Sequence, residues 1–350
     1  MNIKKVLFPL VACIVGIAVA LVITEIGLRI KGIGYGRSGH ISDPYLHHVN
    51  PKNFSFTAHS PSGDFDPFLF KYNEHGFRQR ESKDKQQMQY RLALLGDSYT
   101  LARELPYEKT FAGMLEAASN SKTRVYNFSV ASYSPIHYLV QWKRIISQFK
   151  PTHVIVQLYI NDISNDREMS KIAVFSENGE LEAIPGPKND WLKVIAMKSY
   201  VVRFIFKLFL QLQWRYSNRN TAEQKVIDGF IEINPKISET SLKYITQLFE
   251  LVTDAGAAFA LTVVPSKYRV RGGSYTPDDL EFSDKWKIWA KKHDISFIDL
   301  VTPFHAEKKQ GKKLFFDHDI HFTEDGCAVV TTEIQKKFPE LFTLNYTEKK

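Results

Sequence analysis

Ser98 sits in the run Gly96-Asp97-Ser98-Tyr99-Thr100, directly after Arg91-Leu92-Ala93-Leu94-Leu95. A short apolar stretch closed by a glycine reads as a buried strand of a parallel sheet. Open α/β sheets place reactive groups just past the carboxyl ends of such strands. A serine hydroxyl is a weak nucleophile, so Ser98 needs a general base and donors for the oxyanion that its attack creates. Taken alone, Gly-Asp-Ser also reads as a plain turn.

The base is sought near the carboxyl end, in Asp317-His318-Asp319-Ile320-His321-Phe322-Thr323-Glu324-Asp325-Gly326. An imidazole titrates near neutrality and works as a base when a carboxylate holds its other nitrogen. Asp319 and His321 supply both groups from one loop, with Asp317 and His318 as competitors. The oxyanion donors are sought in two places. Asn161, in Tyr159-Ile160-Asn161-Asp162, offers a side-chain amide, although Asn-Asp is also a common turn or helix-cap pair. Ser132 lies in Tyr126-Asn127-Phe128-Ser129-Val130-Ala131-Ser132-Tyr133-Ser134, where small residues would let a backbone N–H approach a substrate.

The elements that must position these groups are read from apolar periodicity. Strands are expected at Leu92–Leu95, Val125–Val130, His153–Leu158, Phe259–Val264 and Ser296–Leu300. Helices are expected at Thr110–Ser119, Ile136–Phe149, Ser241–Ala255, Ser283–His293 and Asp325–Phe338. Strand and helix alternating at these spacings imply βαβ units, hence an α/β fold with about five parallel strands and helices on both faces. In that arrangement Ser98, Ser132, Asn161 and the Asp319–His321 pair fall on one edge of the sheet. That shared placement separates them from four unrelated turns.

One interval breaks the rhythm. Between Asp166 and Ile237 no sheet strand is evident, and a long apolar helix runs from Trp191 to about Tyr216. On a helical wheel Lys193, Arg203, Lys207 and Arg215 share a sector of roughly 120°, with Lys198 outside it. The helix is read as a cap over the core, with an interfacial membrane helix as the alternative; the two are compatible.

At the other end Lys4 and Lys5 precede an uncharged apolar run from Val6 to Thr24, broken by Glu25. About 19 residues at 1.5 Å rise just cross a bilayer's hydrocarbon core, and the lysines favour a cytoplasmic amino end. An uncleaved signal anchor is expected. Cleavage after Ala18-Val19-Ala20 and lipidation at Cys13 of Leu10-Val11-Ala12-Cys13 are the alternatives. The resulting division is an anchor at 1–27, a loop-rich connector at 28–88 wrapping onto the core, and a catalytic domain at 89–345 with a helical insertion at 167–237.

The 350 residues are 44% hydrophobic and 24% charged, as in an ordinary globular protein. The net charge of +8 is scattered and accompanies no nucleic-acid motif, so it suits an anionic lipid surface or an acidic polysaccharide at least as well as nucleic acid. Cys13 and Cys327 are the only cysteines; neither a disulfide nor a metal site is expected.

Together, Gly96-Asp97-Ser98, Asn161 and Asp319-Ile320-His321 make the chain resemble the SGNH hydrolase superfamily of GDSL-type esterases and lipases, from about Asn73 to Phe338. The resemblance implies a flavodoxin-like three-layer α/β/α fold, ester hydrolysis or acyl transfer, and no cofactor. It matches Ser98 to the nucleophile, Asn161 to an oxyanion donor, and Asp319 and His321 to the acid–base pair. The N-terminal anchor, Asn73-Glu74-His75-Gly76-Phe77-Arg78 and the Asp-x-His spacing resemble a membrane-anchored bacterial branch similar to proteins that add or remove acetyl groups on exported polysaccharides. Two glycines of the family pattern are replaced here, by Ser132 and Tyr159.

The resemblance implies a single-pass membrane protein with its catalytic domain outside the cytoplasm, acting as a serine esterase on an acylated small molecule or glycan. An O-acyltransferase working with a multi-spanning partner is the first alternative. A non-catalytic glycan-binding module on the same fold is the second.

Overall fold

The computed structural model describes residues 3–31, 39–79, 88–119, 122–188, 197–217, 239–265, 267 and 277–342. Trp191 and Lys193 of the expected long helix, and parts of the connector and insertion, lie outside them. The helices are α1 (Ile3–Ile30), α2 (Ser98–Leu101), α3 (Phe111–Ala118), α4 (Pro135–Arg144), α5 (Asp162–Ser170), α6 (Tyr200–Ser217), α7 (Glu239–Asp254), α8 (Pro277–Lys292), α9 (Val301–Lys309) and α10 (Glu324–Lys337).

Five strands form the central sheet: β1 (Tyr90–Leu95), β2 (Thr123–Asn127), β3 (His153–Leu158), β4 (Ala258–Val263) and β5 (Ser296–Ile298). All pair in parallel, in the order β2-β1-β3-β4-β5. Leu92 to Leu95 are buried throughout, as a strand covered on both faces requires. Among the helices, α3 packs with α10, while α4 packs with α5 and α7. The strand order reverses between β1 and β3, and in open α/β sheets that is where the ligand crevice opens.

Element boundaries differ from the sequence expectation where a side chain ends the ladder early. Asn127 Oδ1 accepts the Ser129 N–H at 3.1 Å, so β2 stops at Asn127 instead of Val130. Asp299 Oδ1 accepts the Val301 N–H at 2.9 Å and starts α9, cutting β5 at Ile298. Between Asp166 and Ile237, Val174–Phe175 and Leu181–Ala183 pair with each other and stay outside the main sheet. The N-terminal helix, over Leu7–Ile30, is long and apolar enough to cross a membrane; its most apolar 18-residue window has mean hydropathy 2.8 and none of that window is buried.

The segment before β1 folds as two antiparallel hairpins, Ile41–Asp43 with His47–Val49 and Ser55–Ala58 with Phe68–Lys71. The second hairpin builds a small apolar cluster of Phe56, Ala58, Phe70 and Tyr72 that takes in Leu101 from α2. Gly76 follows at φ +83, and a Cβ there would lie 2.6 Å from the Asn50 carbonyl oxygen; only glycine fits. The turn delivers Arg78 into the interior, where its guanidinium donates to the carbonyls of Leu101 (2.7 Å), Ala102 and Leu105. Leu101 and Ala102 close α2 and Leu105 lies in the turn beyond it, where its N–H also donates to the Ala102 carbonyl at 3.3 Å. Burial pulls the Arg78 pKa down to about 10, so the group stays charged at neutral pH.

Replacing Arg78 by methionine keeps the apolar stem and strands these buried acceptors. We expect Arg78→Met to cost about 3 kcal/mol or more, read as a lower unfolding midpoint of the full chain in mild detergent.

Candidate active site

Ser98 opens α2 immediately beyond β1, and Gly96 makes the close turn there. A Cβ on Gly96 would lie 2.1 Å from Thr100 Oγ1, which is itself hydrogen-bonded to Gln157 Oε1 at 2.8 Å. Asp97 caps α2 by accepting the Tyr99 N–H at 2.9 Å. Burial raises the Asp97 carboxyl to about 6, and its neighbour Asp162, buried with it, is raised too, first by burial and then by Asp97 itself.

His321 arrives from the far end of the chain. Its Nε2 lies 2.8 Å from Ser98 Oγ, and its Nδ1 lies 2.5 Å from Asp319 Oδ1. With the proton on Nδ1 donated to Asp319, the Nε2 lone pair faces the serine hydroxyl. Of the two aspartates open at the sequence level, the structure puts Asp319 on the imidazole. Asp317 pairs with Lys313 at 2.6 Å, and His318 lies against Asp64. The buried Lys267 ammonium donates to the carbonyls of Asp317 and Asp319, and Tyr99 Oη donates to that of Ile320 at 3.0 Å. The loop is thus held on both sides of the pair.

A second carboxylate, not foreseen from sequence, stands beside the first. Glu104 Oε1 lies 3.5 Å from His321 Nδ1, and the Glu104 side chain is 4% exposed. Burial alone would lower the His321 pKa, but Glu104 and Asp319 together outweigh it and raise it to about 9. Burial pushes Asp319 the other way from its partner; the charged His321 prevails and holds it well below the usual carboxylate range. Ligand atoms of Glu104, Asp319 and His321 all lie within 4.8 Å of one another. A cation there would compete with the Nδ1 proton, so the trio reads as an ion-paired base. Beside it a cavity of about 140 Å³ is walled by Phe56, Pro61, Phe65 and Arg103.

The two candidate oxyanion positions differ in kind. Ser132 adopts φ +67, the left-handed conformation that glycine takes freely, so serine here carries roughly 1 kcal/mol of strain. Its loop is tied to the Ser98 turn by Val130 N–H donating to the Gly96 carbonyl at 3.2 Å. His48, from the first N-terminal hairpin, contacts the Ala131 carbonyl through Nε2 at 2.9 Å. In a trans peptide the carbonyl and the following N–H point in opposite directions, so this bond fixes the Ser132 N–H facing away from His48. Tyr133 Oη donates to the His48 carbonyl at 2.7 Å, and Asn50 Nδ2 donates to that of Ser129 at 3.2 Å. Tyr159 needs no glycine conformation; its buried ring lies 4.7 Å from that of Tyr99. Asn161 follows at the start of α5, and its Oδ1 is buried without a protein partner.

Comparison with known proteins follows the same lines. The profile of the GDSL-like Lipase/Acylhydrolase family matches residues 94–329. No curated protein matches the chain. Among solved structures, a lipolytic protein of the G-D-S-L family from Veillonella parvula DSM 2008 is similar at 15% identity, over 72% of this chain and all of that one, with a TM-score of 0.42. The psychrotrophic esterase EstA from Pseudoalteromonas sp. is similar at 14% identity, over 71% and 97% of the two chains, with a TM-score of 0.40. A catalytic mutant of the acetylxylan esterase Axe2 from Geobacillus stearothermophilus is similar at 12% identity, over 73% and 96%, with a TM-score of 0.43. With the family profile spanning more than half of its length, from the end of β1 into α10, the chain belongs to the GDSL-like lipase/acylhydrolase family.

Proposed function

We propose that this protein is a membrane-anchored serine esterase that hydrolyses a short acyl ester, acetyl foremost, through an acyl-enzyme on Ser98. The observation that carries the reading is the Ser98 hydroxyl 2.8 Å from an imidazole nitrogen whose ring partner sits on Asp319. His321 Nε2 takes the hydroxyl proton as Ser98 Oγ attacks the ester carbonyl carbon, and the carbonyl π electrons move onto the oxygen. The backbone N–H groups of Ser98 and Ser132 and the Asn161 amide are read as the donors to that oxyanion. Collapse expels the alcohol, which leaves with the proton from His321. Water then repeats the sequence, releasing the acid and restoring the serine.

Three features support the donor assignment: the place of Asn161 at the start of α5, just past the carboxyl end of β3, the glycine-like backbone of Ser132, and the anchored Ala131 carbonyl. For the anchor, the apolar run of α1 and the two lysines that precede that run support a cytoplasmic amino end with the catalytic domain on the far side. The short acyl group and an exported glycan as its bearer follow from the resemblance to polysaccharide-modifying proteins. An O-acyltransferase would use the same acyl-enzyme, with a sugar hydroxyl in place of water.

The full chain in detergent should turn over p-nitrophenyl acetate faster than butyrate and longer esters. Ser98→Ala should lose at least ~10³ in kcat and all labelling by a fluorophosphonate. Absence of both turnover and labelling in the wild type would sink the reading, and acyl transfer to an added sugar with little free acid would favour the transferase.

The neutral imidazole is the form that accepts the serine proton, and its fraction falls tenfold per pH unit below the pKa. Activity should therefore climb with pH and level off only above about 9. Glu104→Gln removes one of the two carboxylates behind that value, so the rising limb should move down by about one unit. A limb already complete by pH 7 in the wild type would contradict the assignment.

His48→Phe removes the donor on the Ala131 carbonyl. We expect kcat to fall by about 10–10² with KM little changed, and His48→Gln to recover much of the loss. Parallel changes in kcat and KM would mark a general packing defect instead.

A further inference from the structure

We propose that α6 is an in-plane membrane-docking helix, latched to the transmembrane anchor by Glu25, which fixes the pose of the catalytic domain on the bilayer. A helix on a soluble surface turns its apolar side inward; α6 does the reverse. Val202, Ile205, Phe206, Leu208, Phe209, Leu212 and Tyr216 are exposed, with Ile205 and Phe209 at 57% and Tyr216 at 76%. At 3.6 residues per turn these side chains fall in an arc about 160° wide, in which Gln213 is the exposed polar side chain. The cationic side chains Arg203 and Lys207 lie off that arc and are buried or half-buried, with Arg215 exposed just beyond its edge.

A bilayer is the occupant that the surroundings favour. The start of α6 is bonded to α1 where α1's apolar run ends. Glu25 accepts the N–H groups of Tyr200 (3.0 Å) and Val201 (2.9 Å) and the Ser199 hydroxyl (3.0 Å). Arg29 donates to the Lys198 carbonyl at 2.6 Å and lies 4.8 Å from the Tyr200 ring centroid. Glu25 and Leu28 are the half-buried side chains among those described on α1, so α6 meets only the end of the anchor and does not run back along it. Its first turn is therefore fixed at the depth where α1 leaves the hydrocarbon, with an apolar face beside a membrane surface. At 18 residues α6 is about 27 Å long, and among the described residues α1 alone meets the length and apolarity of a span. In-plane docking is what remains for an apolar face of this width. On the domain side Arg203 donates to the Ser55 carbonyl at 3.4 Å and lies over the Phe54 ring at 4.7 Å. The hairpin that begins there walls the cavity beside Asp319. Anchor, docking helix, hairpin and site thus form one connected path.

The inference rests on α1 being a span, and its test separates the two. In a Cys13→Ser background, nitroxide labels are placed one at a time at Ile205→Cys, Phe209→Cys and Leu212→Cys. Ile17→Cys in α1 and Glu250→Cys on the exposed side of α7 are the references. The full chain is examined in phosphatidylcholine nanodiscs containing phosphatidylglycerol. Docking predicts that the three α6 labels, like Ile17, are several-fold more accessible to oxygen than to a water-soluble nickel chelate, with the reverse at Glu250. Labels on α6 as nickel-accessible as Glu250 overturn the proposal. So do labels shielded from both reagents, which would mean that a second copy or another protein covers the face. An aqueous signature at Ile17 would instead remove the anchor reading itself. Adding Glu25→Ala should shift the Phe209 label toward the aqueous signature while Ile17 stays unchanged; no shift would overturn the latch.

Discussion

A guanidinium buried away from water is the constraint on which the site depends. Arg78 donates to three backbone carbonyls at the close of a four-residue helix and in the turn that follows it. A helix that short has no internal cooperativity to hold it. Its first residue is Ser98, and the turn beyond its last leads to Glu104. The position of the hydroxyl and of the second carboxylate thus both rest on a side chain twenty residues upstream of the serine. The desolvation cost of that charge is offset by directed bonds to carbonyl dipoles and by the nearby Glu104, which also raises the pKa of Arg78. The same carboxylate serves two cations, the guanidinium and the imidazolium.

His321 illustrates how burial and charge compete in a small space. Desolvation on its own would favour a neutral ring at physiological pH. Two carboxylates on one side of the ring reverse this, and the reversal depends on Glu104 having almost no contact with water. A base held at such a value is strong once deprotonated and scarce below its pKa.

Much of this was legible in the sequence, and the limits of legibility have physical causes. The five strands announced themselves because a parallel sheet buries both faces and leaves continuous apolar runs, as in Leu92–Leu95 and His153–Leu158. Asp319 and His321 are two residues apart, so their pairing lies within local reach. Choosing Asp319 over Asp317 needed the third dimension, because Lys313 claims Asp317 by a contact that spacing alone does not rank. Glu104 and His48 carry no local signal at all. Each matters only through a neighbour brought to it by the fold, across 217 residues for the first and 83 for the second. The resemblance marked Ser132 and Tyr159 alike as stand-ins for glycine, but only the backbone shows that Ser132 alone of the two has a positive φ. The orientation of α6 was hidden for a related reason: its apolar and cationic faces can be read from a wheel, but which face looks outward cannot.

The contact between Ser98 and His321 spans 223 positions of the chain. Closing so long a loop is entropically slow and follows the local β-α-β units. During synthesis the serine, its helix and β2 are complete long before the imidazole leaves the ribosome. Until the loop before α10 reaches α2, the Ser98 hydroxyl lacks its imidazole neighbour. Chain order thus makes this contact one of the last that the fold can complete.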